Sequence, residues 1–249
     1  MVDFVIGGVQ KGGTTALAKF VAAHPEVAFS SVKEAHWFDR DEDFVNGTPD
    51  PATYHRLFAP GPETRVIGEA TPIYVYWRPC VDRIAAYNPD MRWILVLRDP
   101  VERAYSHWVM ETGRGDEMLP FGQALAQESA RLAKAGGQHR HWSYVDRGRY
   151  AAQIERVFAR FGRERVLVLE SADLAHRHDE TLARVWSFLG VSPLSLPTER
   201  VFAQSYSPMD AADREFLHRE LDPETASLER LLGWDLSAWR ERASPIRPR

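Results

Sequence analysis

A glycine-rich stretch near the amino terminus, FVIGGVQKGGTT at residues 4–15, has nearly the spacing of a phosphate-binding loop. The usual loop follows the pattern G-x-x-x-x-G-K-[ST], in which the lysine directly follows the second glycine. Here Gly8 and Gly13 have the required spacing, but Thr14 occupies the lysine position. The lysine is instead Lys11, three residues earlier. The pattern predicts a loop that holds an anionic group while its cation approaches from a different side.

The sequence around this loop favours a binding site over a simple turn. An apolar run at residues 2–6 precedes the loop, and apolar residues with helical spacing follow it. Backbone N–H groups at the start of a helix can bind an anion, and the helix dipole also favours negative charge there. The amides expected to converge on the anion are those of Gly12, Gly13, Thr14 and Thr15.

A second cationic side chain, Arg98, follows the apolar run RWILVL at residues 92–97. Nucleoside triphosphate sites usually hold Mg²⁺ through a loop Ser/Thr and a carboxylate that ends a neighbouring strand. The carboxylate here, Asp99, precedes a proline and fits the N-cap of a helix instead. Arg98 can bind a phosphate through two hydrogen bonds, and Ser106, about two helical turns further on, can add a hydroxyl. The sequence therefore predicts a ligand with two anionic groups and no metal ion.

The segment KEAHWFD at residues 33–39 contains groups suited to acid–base chemistry. Glu34 and His36 are two residues apart, so in an extended segment both side chains point to the same face. A hydroxyl that attacks an electrophile needs a base of this kind. The alternative is an exposed Glu34 and a His36 that only packs. Glu69, in GEATPIY at residues 68–74, is either a second site carboxylate or part of an ion pair.

The pattern of apolar residues predicts alternating strands and helices. Buried parallel strands are indicated by short apolar runs at residues 2–6, 65–68, 92–97 and 165–169. Helical spacing is found after the glycine loop, from residue 99 to about 110, and at 150–161, 182–189 and near 210–232. This alternation predicts an α/β fold, a P-loop-like three-layer domain with a central parallel sheet of four to five strands flanked by helices.

Residues 111–147 differ from the rest of the chain because they are polar, charged and interrupted by glycine. We expect a partly helical insertion on the substrate side of a single domain that covers residues 1–249, although a plain solvated excursion is an alternative. The sequence HRHW at 139–142 has no cysteine or acidic residue at ligand spacing, so no metal site is predicted.

The overall composition sets limits on the class of protein. The 249 residues are 44% hydrophobic and 27% charged, as is usual for a soluble globular protein. The net charge of -4 provides no basic field that would recruit nucleic acid. Cys80 is the single cysteine, and no apolar run approaches the roughly 20 residues of a membrane span. Without a signal-peptide pattern, we expect a cytoplasmic protein. The oligomeric state is left open.

Three segments together resemble the sulfotransferase family: FVIGGVQKGGTTAL, KEAHWFD and RWILVLRDPVERAYSHW. The similarity covers residues 4–190 in consistent order. It is closest to the branch of the heparan-sulfate N- and 3-O-sulfotransferases and their bacterial relatives, which use 3′-phosphoadenosine 5′-phosphosulfate. By this resemblance, the 3′-phosphate is held by Arg98 and Ser106. The 5′-phosphosulfate is held by Lys11, Gly12, Gly13, Thr14 and Thr15.

The resemblance also implies a mechanism, direct in-line transfer of a sulfuryl group to an acceptor. It assigns the general base to Glu34, because related enzymes have glutamate in the pattern E-x-H-F-F-D, and a positioning role to His36. A transferring sulfuryl group carries less negative charge than a phosphoryl group, so Mg²⁺ is not needed. Lys11 can donate to the oxygen that bridges phosphorus and sulfur as this oxygen gains charge. The predicted acceptor is a hydroxyl or an amine of a saccharide or small molecule.

The chain departs from the heparan-type relatives at two places. Ala70 stands where they have a lysine near the reaction centre, which lowers the expectation of a heparan-like acceptor. FAQSYSPMDAADR at 202–214 replaces their cysteine-bridged loop and K-G-R segment, and Ser205 or Tyr206 are candidates for the missing contacts. Two other functions compete with sulfuryl transfer: a Mg²⁺-dependent P-loop nucleotide kinase, and a nucleotide-binding relative without catalysis.

Overall fold

A parallel sheet of five strands is the framework of the fold in a computed structural model, which describes residues 1–198 and 207–241. The strands are β1 (Phe4–Gly8), β2 (Val27–Phe29), β3 (Val66–Ala70), β4 (Arg92–Leu97) and β5 (Val166–Glu170). They pair in parallel in the order β2-β3-β1-β4-β5. The predicted α/β class is therefore confirmed, and each of the four predicted strands is present close to its expected bounds.

Strand β2 is the one that the sequence did not predict. It has only three residues, so it is too short to show a clear strand pattern, and it lies at the edge of the sheet beside β3. Just after it, the Ser30 N–H donates to the Gly68 carbonyl at 3.0 Å. This bond attaches the chain to β3 a few residues before the KEAHWFD segment begins.

Helices alternate with the strands as expected, and the predicted helix after Asp99 is longer than expected. They are α1 (Thr14–Ala22), α2 (Ala52–His55), α3 (Arg78–Tyr87), α4 (Pro100–Arg114), α5 (Phe121–Lys134), α6 (Tyr150–Phe161), α7 (Ser171–His176), α8 (His178–Leu189) and α9 (Ala211–Leu232). The Asp99 carboxylate accepts a hydrogen bond from the Val101 N–H at 2.8 Å, which confirms it as the N-cap of α4. Within the described ranges, no helix is long and apolar enough to cross a membrane.

Helices cover both faces of the sheet, which confirms the predicted three layers. On one face, Phe4 and Ile6 of β1 belong to a core cluster with Leu17 of α1 and residues of α8. On the other face, the ring of Trp93 in β4 lies 5.6 Å from the ring of Phe161 in α6. These large apolar side chains are almost fully buried, so their removal from water stabilises the layered arrangement.

Contacts within the chain divide the described residues into two units. The first contains residues 1–98 and 154–198 and includes the sheet. The second contains residues 99–153 and 207–241 and has its own apolar core, formed mainly by α4, α5 and α9. The prediction of one functional domain over residues 1–249 stays a prediction.

The segment 111–147 is packed within the second unit and is not a plain solvated excursion. Phe121 of α5 is buried in the core of that unit. The buried Glu117 carboxylate accepts hydrogen bonds from the Tyr144 hydroxyl at 2.9 Å and from the Arg131 guanidinium at 2.5 Å. Its partly helical character is confirmed, while its position on the substrate side stays a prediction.

Gly68 provides a test of the packing between β1 and β3. It pairs in register with Phe4, and an added Cβ would lie 2.2 Å from the Phe4 ring, which is fully buried and closely packed. We expect Gly68→Ala to lower the free energy of unfolding by roughly 1–3 kcal/mol in denaturant titrations. Gly61→Ala is the control, because its methyl group would meet nothing within 4 Å. Equal effects of the two substitutions would contradict this packing.

Candidate active site

The glycine-rich loop connects β1, the middle strand of the sheet, to α1. The Gly12 N–H donates to the Val9 carbonyl at 2.9 Å. A Cβ at Gly12 would lie 2.2 Å from the Val96 carbonyl oxygen, so only glycine fits there. Gly13 is the N-cap of α1 and has φ of 97°, a left-handed conformation that glycine adopts readily. The loop conformation therefore depends on both glycines.

The amides of the loop differ in their surroundings. The Gly12 N–H donates to Val9 inside the loop. The amides of Gly13, Thr14 and Thr15 lie at the start of α1, where N–H groups have no partner within the helix. That these four residues together bind an anion stays a prediction.

Three residues share an unusual backbone conformation. Lys11, Glu34 and His36 have φ of 67°, 61° and 50°. In the described ranges they are the only residues other than glycine with positive φ. The left-handed conformation costs a residue with a side chain about 1 kcal/mol or more, and residues strained in this way concentrate at functional sites. They are also the three residues predicted to be catalytic, so the backbone strain at these positions supports that prediction.

A fully buried carboxylate, Glu69, lies near the end of β3. The hydroxyls of Tyr54 and Tyr74 donate to its Oε1 at 3.0 and 2.8 Å, and the Thr71 hydroxyl donates to its Oε2 at 2.5 Å. The backbone N–H of Ala35 is a fourth donor. Burial raises the pKa of Glu69, and these hydrogen bonds oppose the rise. Glu69 is therefore buried and hydrogen-bonded by hydroxyls and an amide rather than held in an ion pair, while its role as a second site carboxylate stays a prediction.

The cluster around Glu69 also fixes the segment that contains the predicted base. The His36 N–H donates to Thr71 Oγ1 at 3.4 Å, and the Trp37 N–H donates to the Tyr74 hydroxyl oxygen at 3.1 Å. Together with the preceding amide, which binds Glu69, three consecutive N–H groups are held by one cluster at the end of β3. The segment therefore takes its position from the sheet.

The His36 side chain lies between two carboxylates. Its Nδ1 is 2.9 Å from the buried Asp39 carboxylate, and its Nε2 is 3.4 Å from Glu34 Oε2. The hydrogen bond to Asp39, followed by that to Glu34, raises the pKa of His36 to about 9. At neutral pH the ring is therefore protonated, and both nitrogens are donors. Asp39 orients the ring, and the ring in turn orients Glu34.

A cavity of about 300 Å³ connects the loop with this segment. Its wall includes Thr14 and Thr15 at the start of α1 and Glu34 on the opposite chain segment. All of these residues belong to the first unit. The structure thus brings the predicted anion-binding loop and the predicted base to one space.

The residues predicted to bind a second phosphate fall in different units. Arg98 is partly buried and directly follows β4 in the first unit. Ser106 is buried in α4 of the second unit. Their joint role stays a prediction. Ser205 and Tyr206, the candidate contacts from the tail, lie outside the described residues.

The histidines of HRHW have different environments. The His139 ring stacks on Trp142 with a centroid distance of 4.0 Å. His141 Nδ1 lies 2.9 Å from Glu111 Oε2 and 3.7 Å from Asp116 Oδ2. These three residues are suitable ligand types for a cation, and the sequence missed the cluster because the acidic residues are far from His141 along the chain. Glu111 also contacts His107 and Arg114, which gives it a structural role in α4.

Sequence reasoning predicted that Thr71 shapes a turn and assigned no role to Asp39 or Tyr74, although all three hydrogen-bond to His36 or Trp37, just after the predicted base. The available signal was their position. Thr71 and Tyr74 follow the end of a parallel strand, where polar residues often line a site. Asp39 is three residues after His36, but its contact with the ring depends on a turn that residue spacing does not reveal.

Comparison with known proteins agrees with the geometry. A family model described as the sulfotransferase domain matches residues 2–207. The chain belongs to the sulfotransferase family. It is 31% identical over 201 residues to heparan sulfate glucosamine 3-O-sulfotransferase 3A1 of Mus musculus, a match that covers 81% of this chain and 49% of that protein. This sulfotransferase therefore spans about half the length of that curated relative.

Two further similarities support the family and the fold of this sulfotransferase. The bifunctional heparan sulfate N-deacetylase/N-sulfotransferase 4 of Mus musculus is 26% identical, with 98% of this chain and 32% of that protein covered. The crystal structure of a sulfotransferase from Alicyclobacillus acidocaldarius is 31% identical and has a TM-score of 0.83, with 97% of this chain and 99% of that chain covered. The family model and the relatives named here are all described as sulfotransferases.

Glu69→Gln tests the buried cluster. A glutamine keeps the shape but replaces one acceptor oxygen by an NH₂ group, which faces donors. We expect the free energy of unfolding to fall by about 1–3 kcal/mol in urea titrations, because buried polar groups lose their partners. The exposed Glu63→Gln is the matched control and should leave stability unchanged. A Glu69→Gln protein as stable as the wild type would show that the cluster does not depend on the carboxylate.

The raised pKa of His36 predicts how stability depends on pH. The stabilising contribution is complete below pH 6.5, the unfolded value, and is lost as pH rises through about 9. We expect the free energy of unfolding to decline more between these pH values in the wild type than in His36→Gln. Solvent reduces the size of the effect, since the side chain is 37% exposed. His176→Gln, on the surface, should retain the wild-type slope, and parallel slopes for His36→Gln would refute the pairing.

Proposed function

We propose that this sulfotransferase moves a sulfuryl group from 3′-phosphoadenosine 5′-phosphosulfate to an oxygen or nitrogen of an acceptor by direct in-line transfer. One observation carries the proposal. The start of α1, with its anion-binding amides, and the Glu34 carboxylate line the same cavity. A phosphosulfate held by the loop and an acceptor beside Glu34 would then share one space, which is the requirement of a single-step transfer.

The loop suits the phosphosulfate end of such a donor. Gly12 lets the loop pack against the Val96 carbonyl, and Gly13 is the N-cap of α1, whose first amides are proposed to bind the ligand. Thr14 and Thr15 add hydroxyls beside the amides. When bound, the donor supplies the sulfuryl group and leaves as adenosine 3′,5′-bisphosphate. Arg98 is proposed to bind the 3′-phosphate, with Ser106 as its partner.

Lys11 is proposed to stabilise the leaving group. Its φ of 67° places a charged residue at a loop position where glycine would be less strained. An ammonium group near the bridging oxygen stabilises the charge that develops there, and one such donor is typically worth a factor of about 100–1,000 in rate. Because a sulfuryl group carries less charge than a phosphoryl group, this lysine and the loop amides can serve without a divalent ion.

Glu34 is proposed as the general base and His36 as its positioning residue. The protonated His36 ring lies 3.4 Å from Glu34 and 2.9 Å from Asp39, so it orients the base. The Lys33 ammonium, 3.7 Å from Glu34, is a second cationic neighbour. An ionised carboxylate can accept the proton of an acceptor hydroxyl as the new bond forms.

The competing kinase function needs a carboxylate at a strand end to bind Mg²⁺. Glu69 has the appropriate position in β3, which neighbours β1 in the sheet. Its oxygens, however, accept hydrogen bonds from three hydroxyls and one amide, and its side chain is fully buried. A carboxylate that is buried and engaged with four donors is poorly suited to bind Mg²⁺, so the arrangement favours sulfuryl transfer. The hydrogen-bonded arrangement of Glu34, His36 and Asp39 suits acid–base chemistry and so argues against a nucleotide-binding relative without catalysis.

A cytoplasmic location stays a prediction.

Glu34→Gln tests the base. Glutamine keeps the size of the side chain but cannot take up the proton, so we expect turnover with a labelled sulfate donor to fall by about 100-fold or more. The affinity for adenosine 3′,5′-bisphosphate, measured by calorimetry, should remain that of the wild type. The exposed Glu42→Gln serves as the control in the neighbouring segment. Turnover that survives Glu34→Gln would exclude this residue as the base.

A further inference from the structure

The cavity beside the loop has an interior and an edge of different chemistry. Ala70 and Pro72 are buried and line its wall, and Ala18 and Phe29 are partly buried there. These four side chains are apolar. The hydroxyls of the loop threonines and of Ser30, together with the Glu34 carboxylate, are polar groups of the wall. The interior therefore combines an apolar surface with the base and the anion-binding end of α1.

Two cationic residues line the cavity. Lys19 and Lys33 are both exposed, and Lys33 is already near Glu34 at 3.7 Å. An acidic polysaccharide needs several cations along its binding surface to offset its charge and to replace its hydration. The interior of this cavity offers apolar contacts instead. Its volume of about 300 Å³ is at the lower end of the range for small-molecule sites.

We propose that this cavity binds the acceptor, and that the acceptor is a compact alcohol or phenol with an uncharged apolar body. The inference rests on the proposed function, since it requires sulfuryl transfer at the same site. The apolar body lies against Ala18, Phe29 and Ala70, and its hydroxyl faces Glu34. Burial of the body contributes roughly 25 cal/mol per Å² of apolar surface, which provides affinity without charged contacts.

The transfer step balances with the groups already named. The acceptor oxygen forms a bond to sulfur while the bond between sulfur and the bridging oxygen breaks. The bridging oxygen keeps the electron pair and leaves with adenosine 3′,5′-bisphosphate. The hydroxyl proton passes to the Glu34 carboxylate, and no oxidant, reductant or additional reactant is required.

The test uses the full chain and two acceptors, 2-naphthol and an N-sulfated heparan tetrasaccharide. Sulfated product is measured by mass spectrometry, and binding of 2-naphthol is measured by calorimetry in the presence of adenosine 3′,5′-bisphosphate. Ala18→Leu places three extra carbons in the cavity. Ala22→Leu makes the same change on an exposed position of the same helix and is the matched control.

We expect 2-naphthol to be the better acceptor in the wild type. Ala18→Leu should lower both its binding constant and its kcat/KM by about tenfold or more, because the ligand and the new side chain compete for one volume. Ala22→Leu should behave as the wild type. Binding of adenosine 3′,5′-bisphosphate should be the same in all three proteins, since neither alanine belongs to the loop.

Two kinds of result would overturn the inference. The first is preferred sulfation of the tetrasaccharide. The second is 2-naphthol that fails to bind, or binds equally well to Ala18→Leu, whether or not any acceptor is sulfated. In both cases retained binding of adenosine 3′,5′-bisphosphate leaves the proposed function intact. Loss of that binding in the wild type would instead remove the proposed function itself.

Discussion

The geometry of the candidate site depends on one buried group, the Glu69 carboxylate. An isolated carboxylate at this depth would cost several kcal/mol, so it is tolerated only because its oxygens accept hydrogen bonds from four donors. Three of these donors are hydroxyls from Tyr54, Thr71 and Tyr74. Two of the hydroxyls also accept hydrogen bonds from the chain segment that contains His36. A single acidic residue in β3 thereby determines where an irregular segment lies.

Because of these hydrogen bonds, the irregular segment 33–39 is held in a defined position relative to the sheet. Catalytic groups have to be held close to their productive positions, and sites attached to rigid elements achieve this better than free loops. The loop after β1 depends on the sheet through Gly12 and the Val96 carbonyl. The segment 33–39 depends on it through the Glu69 cluster. One half of the site is therefore positioned by β4 and the other by β3, and both strands pair with β1 in one sheet.

Much of the fold can be predicted from the sequence, because strands and helix starts leave recognisable patterns in a few consecutive residues. Apolar runs of four to six residues located four strands, and an Asp-Pro pair located the start of α4. Strand β2 was missed because three residues show no clear alternation. The segment 111–147 is polar in composition, yet its charged residues satisfy one another inside the second unit. The composition of a segment shows how polar it is, but not whether its polar side chains form hydrogen bonds or ion pairs in the folded protein.

For the site, the sequence identified candidate residues better than it described their surroundings. Glu34, His36 and the glycine loop could be identified from their spacing. In the structure Thr14, Thr15 and Glu34 line one cavity, and His36 contacts Glu34. The role of Glu69 could not, because it depends on hydroxyls contributed by Tyr54 and Tyr74, which converge only after folding. The engagement of the Gly12 amide was hidden for the same reason, since it depends on the backbone path of the loop.

The left-handed conformations of Lys11, Glu34 and His36 have a consequence for any attempt to make the protein more robust. At each of these positions a glycine would relieve the backbone strain while it removed a side chain that is predicted to be catalytic. Selection of variants for heat tolerance alone would therefore favour changes at these positions. On the proposed mechanism, thermal stability and turnover place opposite demands on the same three residues, so selection for one needs a simultaneous screen for the other.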